Sequence, residues 1–505
     1  MRARDIDSMT PPCNIVGRGH NQIIVLSNRE PCIHDLTTTG DVVVRRPASG
    51  LVSALEPVIQ QYGGVWVAHG SGSADRMTAD PQGHVVVGSE PDSYVLRRVW
   101  LSHDEERGYY YGFANEGLWP LCHRAFAAPI FRRSDWNSYA AVNARFADAI
   151  VDEITTPQPI VLVQDYHFAL VPRLLRERCA DAIIVTFWHI PWPDVDQLML
   201  CPYALEIVRG LLASNIIGFQ TTHHCEKFFD SVERLQRWTI DRQRTLVYEA
   251  DATVQIRPYP ISVEWPNRWT CKVPPVDECR RLVRQQCGID DDTSLIVSVD
   301  RLDYTKGFDE RLAALERVFE LGTASQRKVA FLQIAAPSRA LIERYGELAA
   351  RVRNRIAGIN QRFGSHSYVP ITYIDHYMEP VDVFTCYRAA DVCYVGSLDD
   401  GMNLVAKEFV SARDDERGVL VLSQFAGAAR ELTEALIVNP YDVDGVAETL
   451  DRALQLSAVE QRVRIREMRR QIEAHNVHDW ASEMLADAAR LHHDDRPHTA
   501  ALALN

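Results

Sequence analysis

Short apolar runs recur along this chain at Ile23–Leu26, Val65–Val67, Ile160–Val163, Ile183–Phe187, Ile216–Gly218, Leu295–Val299, Val329–Ile334, Val392–Val395 and Val419–Leu422. Most are continuous rather than alternating, the pattern of strands buried on both faces of a parallel sheet. Amphipathic segments such as Asn143–Ile154, Phe308–Glu320 and Ala340–Arg355 lie between them. Strand and helix alternate, which restricts the chain to the α/β class.

With 505 residues the chain is too long for one core. It fits two domains of about 200–250 residues with a cleft between them. Three prolines in Arg257–Pro266 interrupt the alternation and mark an interdomain hinge. The expected division is a first lobe over 22–262 and a second over 263–485. The charged helical stretch 457–490 ends the second lobe and could cap either one. Residues 1–21 read as a flexible extension and 486–505 as a frayed tail.

Composition removes whole classes of function. Lys and Arg number 54 against 68 Asp and Glu, and the net charge of −14 disfavours nucleic acid and anionic membranes. No window approaches about 18 consecutive apolar residues, and the N-terminus lacks a signal-peptide core. The 11 cysteines show no CxxC pair, so free thiols in a reducing, cytoplasmic compartment are expected. Any phosphate site must therefore be locally basic.

Two segments supply that basicity. In LDDGMNLVAKEF, 398–409, Asp399 and Asp400 offer carboxylates to hydroxyl groups and Gly401 permits a sharp turn. The amides of Asn403, Leu404 and Val405 would face an anion at a helix N-terminus. In VDRLDYTKG, 299–307, Arg301 and Lys306 stand at the end of a strand. Together they suggest transfer from a nucleotide sugar.

Other candidates lie at strand ends, the edge where open parallel sheets bind ligands. Asp165 and His167 follow one strand, with simple helix capping as the competing reading for Asp165. His189 follows another, held in the Pro-flanked FWHIPWP. Arg29, in SNREP, could fork onto a phosphate, although a plain surface arginine reads the same way. HGSGSAD, 69–75, fits neither phosphate-loop fingerprint and is expected to be a mobile loop near the cleft. Tyr109, Tyr110, Tyr111 and Trp119 form an aromatic cluster for stacking or packing, and Arg339 places a cation just after a strand. His223 and His224 lack partners at metal-ligand spacing and read as structural or exposed.

Taken together, these residues resemble the trehalose-6-phosphate synthase family, retaining glycosyltransferases built from two Rossmann-like lobes around a cleft, the GT-B architecture. VSVDRLDYTKG, QIAAPSR, DGMNLVAKEF, GVLVLSQFAGAA and ALIVNPYD carry the similarity in the second lobe. SNR, GLVSAL, LWPLCH, DYH, HIPWP and IIGFQT carry it in the first. The resemblance implies that Arg301 and Lys306 neutralise the diphosphate, aided by the backbone of Leu404 and Val405, with Glu408 on the ribose. Asp400, Gly401, Met402 and Asn403 would hold the donor glucose, flanked by His189 and Asp165. Arg29, Tyr110 and Arg339 would clamp the acceptor phosphate, with Gly50 and Trp119 shaping the pocket. It further implies UDP-glucose and glucose 6-phosphate as substrates, no cofactor, no metal, no enzymatic nucleophile, and a dimer or tetramer of identical chains.

Four positions depart from the family pattern. His69 stands at the second Trp of a WxGW-type segment, Ser49 at the first Gly of a Gly-Gly-Leu loop, Gln164 at the His before Asp-Tyr-His, and Asp399 at a usual Arg. All but Asp399 fall on the acceptor side. A glucosylglycerol-phosphate synthase therefore stays open, as do GDP and ADP donors and, more remotely, a noncatalytic sugar-phosphate sensor.

Overall fold

The computed structural model describes residues 22–46, 50–89, 92–235, 237–249, 252–325 and 328–494. The expected extension, 1–21, and Ser49 lie outside them. The first strands are β1 (Ile23–Arg29), β2 (Ile33–Leu36), β3 (Val42–Arg45), β4 (Val65–His69), β5 (His84–Val87) and β6 (Tyr94–Val99). There follow β7 (Ile160–Gln164), β8 (Ile183–Trp188), β9 (Ile216–Phe219), β10 (Thr239–Asp241), β11 (Leu246–Glu249) and β12 (Ala252–Pro258). Ten of these form one sheet in the order β10-β11-β12-β9-β8-β7-β1-β4-β6-β5, and β2 pairs with β3 in a separate hairpin. The central pairings are parallel, and β7, β8 and β9 are buried along their whole length. Their β-branched runs suit that double-sided burial.

The second sheet is all parallel. It comprises β13 (Ser294–Arg301), β14 (Val329–Ala336), β15 (Ile371–Ile374), β16 (Val392–Val395), β17 (Val419–Ser423) and β18 (Leu436–Val438), ordered β15-β14-β13-β16-β17-β18. Its strand order reverses between β13 and β16, and that of the first sheet reverses between β1 and β7. Loops diverge at such switch points and leave a crevice at the strands' carboxyl ends. Arg29 and Asp165 therefore flank one crevice, and Arg301 and residues 396–401 flank the other.

The closing helix runs over Val477–Asp494 and returns to the first sheet. Trp480 packs edge-on against Phe187 at 5.3 Å, and Tyr259 donates to Asp487 at 2.7 Å. Residues 486–494, which the sequence assigns to a loose tail, continue this helix because Asp487 and Ala488 are buried on its inner face. The loop at 69–75, expected to be mobile, is tied down. Ser71 N–H donates to Glu30 and Gly72 N–H to Asp75, while buried Arg98 pairs with both carboxylates at 2.8 Å. The described cysteines are free thiols, and no described helix is long and apolar enough to cross a membrane.

Candidate active site

The second crevice is built from two turns. After β13 the chain makes a short 3-10 turn over Tyr304–Lys306 and then passes through Gly307 at φ 66°. A Cβ at Gly307 would lie 2.4 Å from the Gly396 carbonyl, so only glycine lets the two strand-end loops meet. Lys306 Nζ then reaches Asp400 Oδ2 at 2.5 Å. Burial opposes ionisation of Asp400, but Lys306 and the Asn403 amide hold its carboxyl below the usual range. Asn403 adopts the left-handed region and caps the helix Leu404–Ala412 through Ala406 N–H. The N–H groups of Leu404 and Val405 are left without intrahelical acceptors at its positive end.

One turn further, Glu408 accepts a hydrogen bond from Tyr387 and is pushed up to about 7 by burial. Lys407, on the same helix, binds Ile261 O at 2.7 Å and Glu431 at 3.0 Å, fixing the helix to the chain segment joining the two sheets. Met402 is buried in the apolar core behind the turn.

Across the cleft, Asp165 sits at φ 77° directly after β7 and accepts from His189 N–H at 3.2 Å. Burial pushes its carboxyl up to about 7 against the pull of Arg339 and Arg301. His189 is pushed down to about 3 by burial and is therefore neutral. Its Nε2 lies 2.9 Å from Gln164 Oε1, a contact that favours the Nε2–H tautomer with Nδ1 as an acceptor.

The third group lies between the sheets. A wide π-helix over Arg107–Leu118 carries Tyr110, which stacks on His167 at 5.6 Å. Burial alone would raise the Tyr110 phenol, yet the guanidiniums of Arg29, Arg339 and Arg301 hold it below its ordinary value. Arg339 lies 3.8 Å above the Trp119 ring, with Arg301 5.7 Å from the same ring. Arg339 is buried on Asp303 at 2.8 Å, on Tyr345 at 2.6 Å and on Tyr166 at 3.3 Å. Three buried atoms near this group, His167 Nε2, Trp119 Nε1 and Arg339 Nε, have no hydrogen-bond partner among the described residues. Unanswered polar atoms beside a cleft are the groups a polar ligand would satisfy.

Lys306, Asp400, Gly401, Asn403 and Glu408 lie on or beside the first turns of one helix, Asp165 and His189 meet across the cleft, and Arg29, Arg301, Arg339 and Trp119 gather near the Tyr110 phenol. Gly50 opens the helix Gly50–Tyr62 beside residues outside the described set. His69 Nδ1 lies 3.2 Å from Val99 O, and its backbone pairs in register with Arg29 at the carboxyl end of β4. The sequence reading missed Asp303 and Tyr166. Asp303 was legible in RLDYTK as an acid between two cations.

The two sheets touch through Gly401, where a Cβ would meet the His189 carbonyl at 2.2 Å. Gly401→Ala is expected to force the lobes apart at a cost of about 1–3 kcal/mol. Steady-state kinetics should show weaker turnover with the far-UV dichroism unchanged.

Asp165 and Glu408, both raised to about 7, make a signed stability prediction. Their folded-state values lie above the unfolded ones, so between roughly pH 4 and 7 the native state binds more protons. Stability therefore falls as pH rises through that window. Urea unfolding at several pH values should show the decline, and Asp165→Asn with Glu408→Gln should flatten it.

One mixed and one parallel sheet, meeting at a cleft lined by arginine, lysine and a helix N-terminus, give the architecture of a two-lobed sugar-transferring enzyme. The glycosyltransferase family 20 model matches residues 21–490, and the chain belongs to that family. It is 37% identical over 477 residues to the trehalose-6-phosphate synthase of Mycolicibacterium paratuberculosis, covering 93% of this chain and 95% of that one. The fold also matches the E. coli structure described as bound with UDP-2-fluoro glucose, with a TM-score of 0.82, 31% identity, and 93% and 99% of the two chains covered. A Burkholderia xenovorans α,α-trehalose-phosphate synthase (UDP-forming) in complex with glucose-6-phosphate matches with a TM-score of 0.80 and 34% identity, over 92% and 100%.

Proposed function

We propose that this enzyme transfers glucose from UDP-glucose to glucose 6-phosphate with retention, forming α,α-trehalose 6-phosphate. The observation that supports this reading is the gathering of cations at the interlobe cleft, with Lys306 on Asp400 before the helix Leu404–Ala412 and the guanidiniums of Arg29, Arg339 and Arg301 around the Tyr110 phenol. The diphosphate takes Arg301, Lys306 and the Leu404 and Val405 amides, and the acceptor phosphate takes Arg29, Tyr110 and Arg339. Glu408 holds the ribose, while Asp400, Gly401, Met402, Asn403, His189 and Asp165 hold the transferred ring.

Negative charge grows on the departing diphosphate as the glycosidic bond breaks, and fixed cations stabilise that state more than the ground state. Their complement meets the charge without a divalent metal. The acceptor hydroxyl attacks from the face the diphosphate leaves, and the leaving phosphate oxygen takes its proton, so no enzymatic nucleophile is assigned. The free thiols fit a cytoplasmic enzyme, and a homo-oligomer is the expected assembly.

Incubation with UDP-glucose and glucose 6-phosphate should release UDP and a phosphorylated disaccharide, in the presence of a chelator as in its absence. No product with UDP-, GDP- or ADP-glucose would overturn the reading. Faster turnover with glycerol 3-phosphate would reassign the acceptor.

A further inference from the structure

Beside the donor turn lies a cavity of about 310 Å³ that shares only Asp400 with the residues assigned above. Thr221, His223 and His224 reach it from the end of β9, Arg124 from the segment after Cys122, and Asp399, Gln424, Phe425 and Arg430 from the second lobe.

Its charges do not cancel. Asp400 is answered by Lys306, and Asp399 accepts both the backbone N–H and the Nε–H of Arg124 at 3.0 and 3.1 Å. The family-atypical acid at 399 is thus matched by a cation from the other lobe. That pairing uses one edge of the Arg124 guanidinium, and its two terminal nitrogens have no acceptor among the described residues. Arg430 is exposed and has no ion-pair or hydrogen-bond partner among them. With nearby Asp194 paired to Lys227 at 3.0 Å, a net positive charge lines the cavity in a chain of net charge −14.

Two further observations point the same way. The helix Thr222–Leu235, of 14 residues, begins at the cavity wall, beside lining residues Thr221 and His223, and its first N–H groups lack intrahelical acceptors. His224, only 6% exposed, lines the cavity, and its Nδ1 has no partner among the described residues. Burial, with the neighbouring His223, Lys227, Arg430 and Arg124, pushes its imidazole down to about 3, so it stays neutral.

We propose that this interlobe cavity is a second anion site, taking the phosphate group of a small metabolite on Arg430, the free edge of Arg124 and the amino end of helix Thr222–Leu235. It is separate from the places where the two substrates put their phosphates. Its walls come from both lobes, so an occupant draws together the surfaces that meet at Gly401 and His189. Ligand in this cavity and UDP-glucose in the donor site then raise each other's affinity, as coupling between sites is reciprocal.

Calorimetry on the full chain, saturated with UDP and glucose 6-phosphate so that both substrate sites are filled, tests the proposal. Inorganic phosphate, ribose 5-phosphate and AMP serve as probes, and their order distinguishes a bare anion from a phosphorylated sugar or nucleotide. At least one should bind. Arg430→Ala and the isosteric Arg430→Gln should each weaken it about tenfold or more, the worth of a lost hydrogen bond to a charged group. Arg430→Lys should recover part of that loss, and turnover without added anion should match the parent in all three. Absence of any further binding by the saturated parent, or equal binding by Arg430→Ala and Arg430→Gln, would overturn the proposal while leaving the transfer activity untouched.

Discussion

Replacement of Lys306 by Ala is expected to lower kcat/KM for UDP-glucose by about 100-fold or more, the usual effect of removing one preorganised donor from a developing anion. The reason lies in what Lys306 touches. Its ammonium holds Asp400 at 2.5 Å, and Asp400 in turn receives the Asn403 amide that positions the capping residue of helix Leu404–Ala412. Loss of the cation removes a charge from the diphosphate and leaves a buried carboxylate repelling it. Asp400→Asn in the Lys306→Ala background removes that repulsion and should recover donor binding more than turnover. Unchanged turnover in the single variant would show that the donor diphosphate lies elsewhere.

Arg339→Ala should fail in two measurable ways. Asp303 is fully buried, and its carboxyl stays below the ordinary range against burial because Arg339 and Arg301 face it. Breaking such a pair by removing one partner costs about 3–5 kcal/mol, readable by urea unfolding. The same change removes the fork stacked on Trp119 and should raise KM for glucose 6-phosphate by about tenfold or more. The two effects separate in the double variant with Asp303→Asn, which should regain stability and none of the acceptor affinity. Parallel recovery of both would mean that Arg339 supports the fold and does not touch the acceptor.

Parts of the molecule resisted sequence reasoning for definite physical reasons. β6, YVLRRV, carries two arginines and does not read as a buried run, yet Arg98 lies wholly inside because Glu30 and Asp75 meet it. The glycine-rich 69–75 loop looked loose because its restraints come from those same distant carboxylates. The long helix Arg133–Glu153 begins ten residues before its apolar periodicity becomes clear at Asn143, since its first turns pack on the π-helix through Tyr139 and Trp136. The π-helix itself has no sequence signature, and its aromatic residues read equally well as core or as a sugar platform.

What the sequence by itself determined is local in origin. Continuous β-branched runs specify buried parallel strands, and a cation or carboxylate placed just after such a run must emerge at the strand's carboxyl end, as Arg29, Asp165, His189, Arg301 and Arg339 do. What only the tertiary structure decided is which of these groups meet. Arg124 reaches Asp399 across 275 positions of chain, Arg339 reaches Tyr166 across 173, and Gly401 rests against the carbonyl of His189. Those meetings depend on the strand order of two separate sheets and on how one is set against the other. No pattern within a few turns of chain encodes such distances, because they result from burying both sheets' helices and the cleft between them at once.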